Sequence, residues 1–287
     1  MTTLDIVLCF DDYFWAPAYA TMRSVAISTR RRADLVFHLV HWKLAPEHRA
    51  DLDAITQEFG ARLLDYPLEA HTAITAELDE LPGTRSFPPI VYARLLLDRL
   101  LPPEVGRFLY LDSDLFVRAP IEDLIGMDLG DDAIAAAPEP GRHRLIRGDD
   151  MRSRTSPFDA ADPYFNSGVI LADRARWAAA DLPGLLKRLR ESREIAGLYH
   201  DQDVLNLAFR GKVRMLDPLW NLTRPHPALR ALDPHIVHYT TGLKPWGTIP
   251  WVAFGTSYRH VMTRSLVARY ARHRRKVWLR RLFGRNA

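Results

Sequence analysis

Arg107-Phe108-Leu109-Tyr110-Leu111-Asp112-Ser113-Asp114 is the stretch on which the fold turns. A short apolar run ends in two aspartates with one residue between them. A run this short and this apolar suits a strand buried on both faces, in a parallel sheet covered by helices. Side chains two apart on an extended chain point the same way. Two carboxylates held so repel each other unless a cation lies between them. Hard divalent cations prefer carboxylate oxygens and bridge readily to phosphates. Asp-x-Asp alone is a weak pattern, because it occurs three times in this chain. Asp51-Leu52-Asp53 falls on an expected helix, where such residues do not face each other. Asp201-Gln202-Asp203 opens an expected helix, where acids are favourable in any case. Only Asp112 and Asp114 follow an apolar strand, so they are the expected metal pair.

Outward from this stretch the chain alternates in period. Residues 4–10 read as a strand running into Asp11-Asp12, 17–29 as a helix and 35–41 as a strand. Residues 46–59 read as a helix with Pro46 in its first turn, and 62–66 as a strand. Pro88-Pro89 opens a helix expected to reach residue 100, and Pro102-Pro103 stops it. Beyond the acidic pair, 133–137 reads as a buried strand. Residues 138–163 form a long polar segment rich in Arg, Asp, Pro and Gly, a length that is usually functional or disordered. Asn166-Ser167-Gly168 reads as a small polar turn before a strand at 169–172. Helices are expected near 174–194 and 201–210, and a last strand at 235–239. Strands alternating with helices predict a parallel-type α/β sheet covered by helices. In such sheets ligands lie beyond the carboxyl ends of the strands, which is where Asp11, Asp112, Asp114 and His238 fall.

Other side chains can complete a site there. His238 ends an apolar strand. A lone histidine in that place is more often structural, but Gly242 and Lys244-Pro245-Trp246 follow at once. Glycine lets backbone approach a ligand, and lysine can meet a phosphate as a point charge. Histidine beside two aspartates suits Mn2+ better than Mg2+, with Mg2+ the alternative. Asp201 and Gln202 bring a carboxylate and an amide to one helix start; the plain alternative is an N-cap with solvated neighbours. Arg94 follows Tyr92 on an expected helix and would ordinarily be a surface arginine with a buried stem.

Composition narrows the class. The chain has 287 residues, 47% of them hydrophobic, enough for one large domain and its core. The single cysteine, Cys9, rules out an internal disulfide framework and a cysteine-based zinc site, and points to a reducing compartment. The net charge of +4 is unevenly spread: from 258 to 287 there are ten Lys or Arg and no acid, while the remaining 257 residues carry 29 basic and 35 acidic side chains. In that tail Arg272, Arg274, Arg275, Lys276, Arg280 and Arg281 alternate with Val277, Trp278, Leu279, Leu282 and Phe283. The pattern predicts a basic amphipathic helix for an anionic membrane surface, with a solvated or disordered basic tail as the alternative. The acidic body and the lack of a reader motif count against nucleic acid. No stretch approaches the roughly 20 apolar residues that span a bilayer. The expected layout is a catalytic domain over 1–257 and a basic tail over 258–287.

Six segments in this order resemble glycosyltransferase family 8, the retaining galactosyl- and glucosyltransferases of lipopolysaccharide synthesis together with glycogenin. They are Ile6-Val7-Leu8-Cys9-Phe10-Asp11-Asp12, Tyr92-Ala93-Arg94-Leu95, Tyr110-Leu111-Asp112-Ser113-Asp114, Phe165-Asn166-Ser167-Gly168-Val169, Asp201-Gln202-Asp203-Val204-Leu205-Asn206 and His238-Tyr239-Thr240-Thr241-Gly242-Leu243-Lys244-Pro245-Trp246. The resemblance implies a GT-A fold with a Rossmann-like mixed sheet, a UDP-galactose or UDP-glucose donor, and Mn2+ held by Asp112, Asp114 and His238. It implies that Asp11 and the backbone of Cys9 hold the uridine end, with Ser113, Asn166 and Gly242 also on the donor. Arg94 and Asp201 would contact the donor sugar, Lys244 would neutralise the leaving diphosphate, and Gln202 would lie beside the anomeric carbon. The acceptor would be a saccharide or glycolipid, and the place of action the cytoplasmic face of a membrane. The chain departs from the family twice: Tyr13-Phe14-Trp15-Ala16-Pro17 replaces its Asn-Tyr pair, and Thr241 stands where a glycine is usual. An inactive module that binds nucleotide sugar and docks on membranes is the alternative reading.

Overall fold

A computed structural model describes residues 3–83, 88–142, 157–159, 161–249 and 251–283. The first half runs β1 (Leu4–Asp11), α1 (Trp15–Ser28), β2 (Leu35–Trp42), α2 (Pro46–Phe59), β3 (Arg62–Pro67) and α3 (Thr72–Asp79). A 3-10 stretch, Pro89–Leu96, leads into the single α-turn α4 (Leu97–Leu100). Then come β4 (Arg107–Leu111), β5 (Leu115–Val117), α5 (Glu122–Ile125) and β6 (Ile134–Pro138). The second half runs β7 (Phe165–Asp173), α6 (Arg174–Ala179), α7 (Leu182–Glu191), α8 (His200–Ala208), β8 (Val213–Met215), β9 (Leu222–Thr223), β10 (Ile236–His238), α9 (Gly255–Met262) and α10 (Arg264–Leu282).

The main sheet has the order β3-β2-β1-β4-β7-β6-β8. β1 pairs in parallel with β2 and β4, and β2 with β3. β7 enters antiparallel between β4 and β6, which makes the sheet mixed, as the resemblance implies. The two faces of β1 explain why its sequence is a nearly unbroken apolar run. Leu4, Ile6, Leu8 and Phe10 join one core with α1, while Val7 joins the other with the 3-10 stretch and α8. A strand buried on both faces has no polar side to show.

A smaller sheet, β5-β10-β9, completes the carboxyl end. β10 runs antiparallel to β5, with His238 opposite Leu115, and parallel to β9, with His238 opposite Thr223. Thr21 on α1 pins the turn before β5: its hydroxyl donates to the carbonyls of Ser113 and Leu115 and accepts the Leu115 N–H at 3.1 Å. Distant segments thereby meet at the acidic pair.

Two expectations change, and three short strands join those expected. The helix expected over 88–100 is mostly 3-10, because Arg94 Nε takes the Val91 carbonyl at 3.1 Å and its side chain turns inward rather than to solvent. The expected turn at 166–168 is instead the start of β7, drawn in by pairing with β4 and β6. The short strands β5, β8 and β9 carry too few residues for a period to register. Most of the long segment 138–163 lies outside the described residues.

The basic tail forms the expected C-terminal helix, α10. Tyr258, Val261, Met262, Leu266 and Tyr270 all belong to the core that holds α1. Arg269 Nη1 pairs with Asp51 on α2 at 2.7 Å. Each buried side chain of that size contributes on the order of 1.5–3 kcal/mol, so α9 and the first half of α10 are part of the folded body. Among the described residues, no helix is long and apolar enough to cross a membrane.

Candidate active site

The turn after β4 presents Asp112 and Asp114, and β10 brings His238 between them. His238 Nε2 lies 3.4 Å from Asp112 Oδ2 and 3.1 Å from Asp114 Oδ1. Ligand atoms of the three residues fall within 4.8 Å of one another. His238 Nδ1 lies 3.0 Å from Asn221 Oδ1, an amide oxygen that only accepts. Nδ1 therefore donates to Asn221, and Nε2 is the ring nitrogen turned towards the carboxylates. Gly168 forms the floor: a Cβ there would stand 2.2 Å from His238 Cε1 and 2.8 Å from Asp112 Oδ2. Two carboxylates, one imidazole of set tautomer and a floor without a side chain fit a divalent cation.

Lys244 closes one side. Its Nζ pairs with Asp114 Oδ2 at 2.7 Å and donates to the Tyr239 carbonyl. Burial alone would raise the Asp114 carboxyl, but Lys244 and His238 outweigh it and hold it well below the usual range. Charges this close and this shielded from water compensate one another strongly.

On the other side, Arg94 is buried and doubly paired. Nη2 meets Asp112 Oδ1 at 2.7 Å, Nε meets Asp201 Oδ2 at 3.2 Å, and Nη1 donates to the Ser167 carbonyl at 3.0 Å. The guanidinium carbon stacks 4.4 Å from the Tyr110 ring centre, and the Tyr110 hydroxyl donates to Asp112 Oδ1 at 2.9 Å. Burial, with the Asp112 charge adding, pushes the Asp201 carboxyl up to about 6 against the pull of Arg94. His200, at φ +52°, turns the chain sharply into α8 and delivers Asp201 and Gln202 inward. The amide of Gln202 is held from both ends: Oε1 accepts from the Ser167 N–H and from Asn166 Nδ2, each at 3.2 Å, and Nε2 donates to the Tyr164 hydroxyl at 3.1 Å.

Two further expected donor residues sit at the same rim with unmet polar atoms. Asp11 Oδ1 and Ser113 Oγ are buried without a hydrogen-bond partner among the described residues. Native interiors rarely leave such atoms unpaired unless a ligand or water completes them. Burial raises the Asp11 carboxyl, and pushes the Cys9 thiol up to about 12, so the thiol is protonated and inert. Gly242 is exposed, its φ is not positive, and a Cβ there would meet nothing within 4 Å. The required glycine is Gly168.

Sequence reasoning missed a layer that orients these groups. Asn221 bridges His238 to Asn166, donating to Asn166 Oδ1 at 2.8 Å. Glu139 Oε2 accepts from Asn166 Nδ2 at 2.8 Å. Tyr164 donates to Asp203 Oδ1 at 2.6 Å. Each residue follows an unremarkable local pattern, so only the strand pairing could have revealed it. A second cluster, Asp12, His48 and His273, also brings three ligand-type atoms together. There Asp12 Oδ1 already accepts from the Ala45 N–H at 2.8 Å and pairs with His48 Nδ1 at 2.7 Å. Arg269, Arg272, Lys276 and Arg280 line that cleft, and their charge opposes a cation.

Residues 5–249 match the family described as glycosyl transferase family 8. The chain is similar to the lipopolysaccharide 1,3-galactosyltransferase of Salmonella typhimurium, 23% identical over 271 residues that cover 91% of this chain and 77% of that enzyme. It is similar to the lipopolysaccharide 1,2-glucosyltransferase of Escherichia coli K12, 30% identical over 187 residues covering 60% of this chain and 53% of that enzyme, about half its length. Among solved structures, the galactosyltransferase LgtC in complex with donor and acceptor sugar analogues superposes with a TM-score of 0.74, over 90% of this chain and 95% of that one, at 23% identity. That structural likeness speaks for the fold.

Proposed function

The chain belongs to glycosyltransferase family 8, and from that premise we propose that it is a Mn2+-dependent, retaining hexosyltransferase. It would move galactose or glucose from a UDP-sugar to a saccharide acceptor of lipopolysaccharide or another cell-surface glycan. One observation carries the reading: Asp112, Asp114 and His238 converge from two sheets on one point, with Lys244 beside it. The relatives named above support the hexose and the glycan class.

In this reading Asp112, Asp114 and His238 hold the cation. When bound, it supplies positive charge against the diphosphate as UDP departs. Lys244 adds a second positive charge to the same oxygens. Asp11, Ser113 and the backbone of Cys9 hold the uridine end. Asn166 positions Gln202.

Retention needs either a nucleophile close to the anomeric carbon or attack on the face that UDP leaves. Gln202 offers a poor nucleophile, with both ends of its amide engaged. Asp201 is spent on Arg94 and on the Ser167 hydroxyl, 3.3 Å away. Both facts support same-face attack. The acceptor hydroxyl forms the new bond to the anomeric carbon, the bond to the phosphate oxygen breaks, and that oxygen takes the hydroxyl proton. A trapped glycosyl adduct on Asp201 would overturn this route. Exposed Trp278, Leu279, Leu282 and Phe283 on the end of basic α10 support docking on the inner face of an anionic membrane.

The test is UDP release from a panel of UDP-sugars, with Mn2+ and with EDTA. Release from one hexose donor, stopped by the chelator, is expected. Pyrophosphate or phosphate as the product would contradict the reading. Metal-dependent UDP binding without turnover under any condition would favour the inactive docking module.

A further inference from the structure

A second cleft, apart from the metal trio, lies between α2 and α10. Its volume is about 400 Å³, within the range of about 300–1,000 Å³ usual for ligand pockets. Arg269, Arg272, His273, Lys276 and Arg280 line it, and their spacing puts them on one face of α10. Arg269 is answered by Asp51 at 2.7 Å. Arg272, Lys276 and Arg280 form no ion pair with any described residue. Cations gathered over one cleft repel each other until an anion lies among them.

The floor of the cleft is held in place. Trp15 is buried and stacks on His48 with ring centres 3.6 Å apart, and it meets His273 edge-on at 4.9 Å. Trp15 Nε1 donates to Asp51 Oδ2 at 3.0 Å, so one carboxylate holds both Trp15 and Arg269. Two carboxylates line the cleft, Asp12 and Glu47. Asp12 is engaged by the Ala45 N–H and by His48, and Glu47 stands exposed at the rim. Burial lowers the His273 imidazole, and His48, Arg280 and Lys276 lower it further against the pull of Asp12. The ring thus already feels an excess of positive charge. Trp15 belongs to Tyr13-Phe14-Trp15-Ala16-Pro17, so the floor comes from the stretch in which this chain departs from family 8.

We propose that this cleft is a binding site for a phosphate group, held by Arg272, Lys276 and Arg280. Lysine meets a phosphate as a point charge and arginine through its planar fork, and the cleft offers both. A cation meets the wrong charge there, and a neutral sugar leaves the three cations unanswered. Val277 and Arg280 line the end of the cleft, next to exposed Trp278 and Leu279. That neighbourhood favours the phosphate of a lipid headgroup over one free in solution. The site takes no part in the transfer chemistry, so it stands whether or not the hexosyltransferase reading does.

The experiment follows binding by the full chain of two kinds of probe. One is inorganic phosphate or glycerol 3-phosphate in solution; the other is phosphatidylcholine vesicles with and without phosphatidic acid. Three proteins are compared: the wild type, Lys276→Gln with Arg280→Gln, and Arg264→Gln with Arg275→Gln. The last pair removes the same charge from exposed positions of α10 outside the cleft. The cleft pair is expected to weaken binding about 30-fold, two cationic contacts being lost, and the outer pair by no more than about threefold, as for screened surface charge. The His273 ring, followed by proton NMR, titrates at higher pH once the anion is bound, because an anion favours its charged form. Binding to vesicles but not to the soluble phosphates assigns the site to a lipid headgroup, and binding to the soluble phosphates assigns it to a free phosphate. Three results would overturn the site: no binding of either probe, equal weakening by the two double variants, or a His273 titration that the bound probe leaves unmoved.

Discussion

At the scale of single residues the site depends on what is missing as much as on what is present. Gly168 lets Asp112 and His238 approach from opposite strands, and a methyl group there would overlap the imidazole at 2.2 Å. The neighbouring atoms belong to a strand-held histidine and to a carboxylate tied to Arg94, and neither is the far end of a flexible side chain. Gly168→Ala should therefore fold but displace His238. A misplacement of about 1 Å can cost on the order of 10²-fold in rate, and metal-dependent UDP release from the soluble variant would measure it. Wild-type turnover in a folded Gly168→Ala would show that the trio has more room than the geometry allows. Asp112 and Asp114 were legible in the sequence because the strand and the pair are local. Gly168 looked like a turn residue because its crowding partners come from strands far away in the chain. Gly242, expected on the donor side of the site, has open space around it.

At the scale of elements, α10 has two parts with different work. Leu266 and Tyr270 are buried, and the side of Trp15 packs against Tyr270 with ring centres 5.1 Å apart. Past His273 the apolar side chains turn to solvent. Deleting 258–287 would remove five core residues, so loss of function in that variant would say nothing about membranes. Removing 277–287 spares them all. That shorter truncation is expected to keep its melting temperature within a few degrees, to keep UDP release, and to lose binding to phosphatidylglycerol vesicles relative to neutral ones. Unchanged vesicle binding would remove the docking role. The tail's basic composition was plain in the sequence, while the division of labour within it was not, because Tyr270 and Trp278 are alike in type and differ only in what lies opposite. The 3-10 stretch before α4 makes the same point: its residues suit an α-helix, and the inward pull on Arg94 by Asp112 and Asp201 overrides that preference.

At the scale of the whole molecule, two sheets share one carboxyl end. The main sheet brings Asp11, Asp112 and, through β7, Asn166; the small sheet brings His238 and, just after it, Lys244. The alternation of strands and helices, and the place of ligands beyond strand ends, could be read directly from the chain. The antiparallel insertion of β7 and the existence of the small sheet could not, because both depend on pairings between segments too short or too distant to leave a period. It is this second sheet that adds an imidazole to the acidic pair, so that three ligand-type side chains meet. The most direct test is a titration of Mn2+ into the protein in the presence of UDP, followed by electron paramagnetic resonance, for the wild type and Asp112→Asn. The account predicts UDP-enhanced Mn2+ binding in the wild type and a loss of more than about 100-fold in affinity in the variant, beyond the 10–100-fold typical of outer-shell changes. Equal Mn2+ affinity in the two proteins would contradict it.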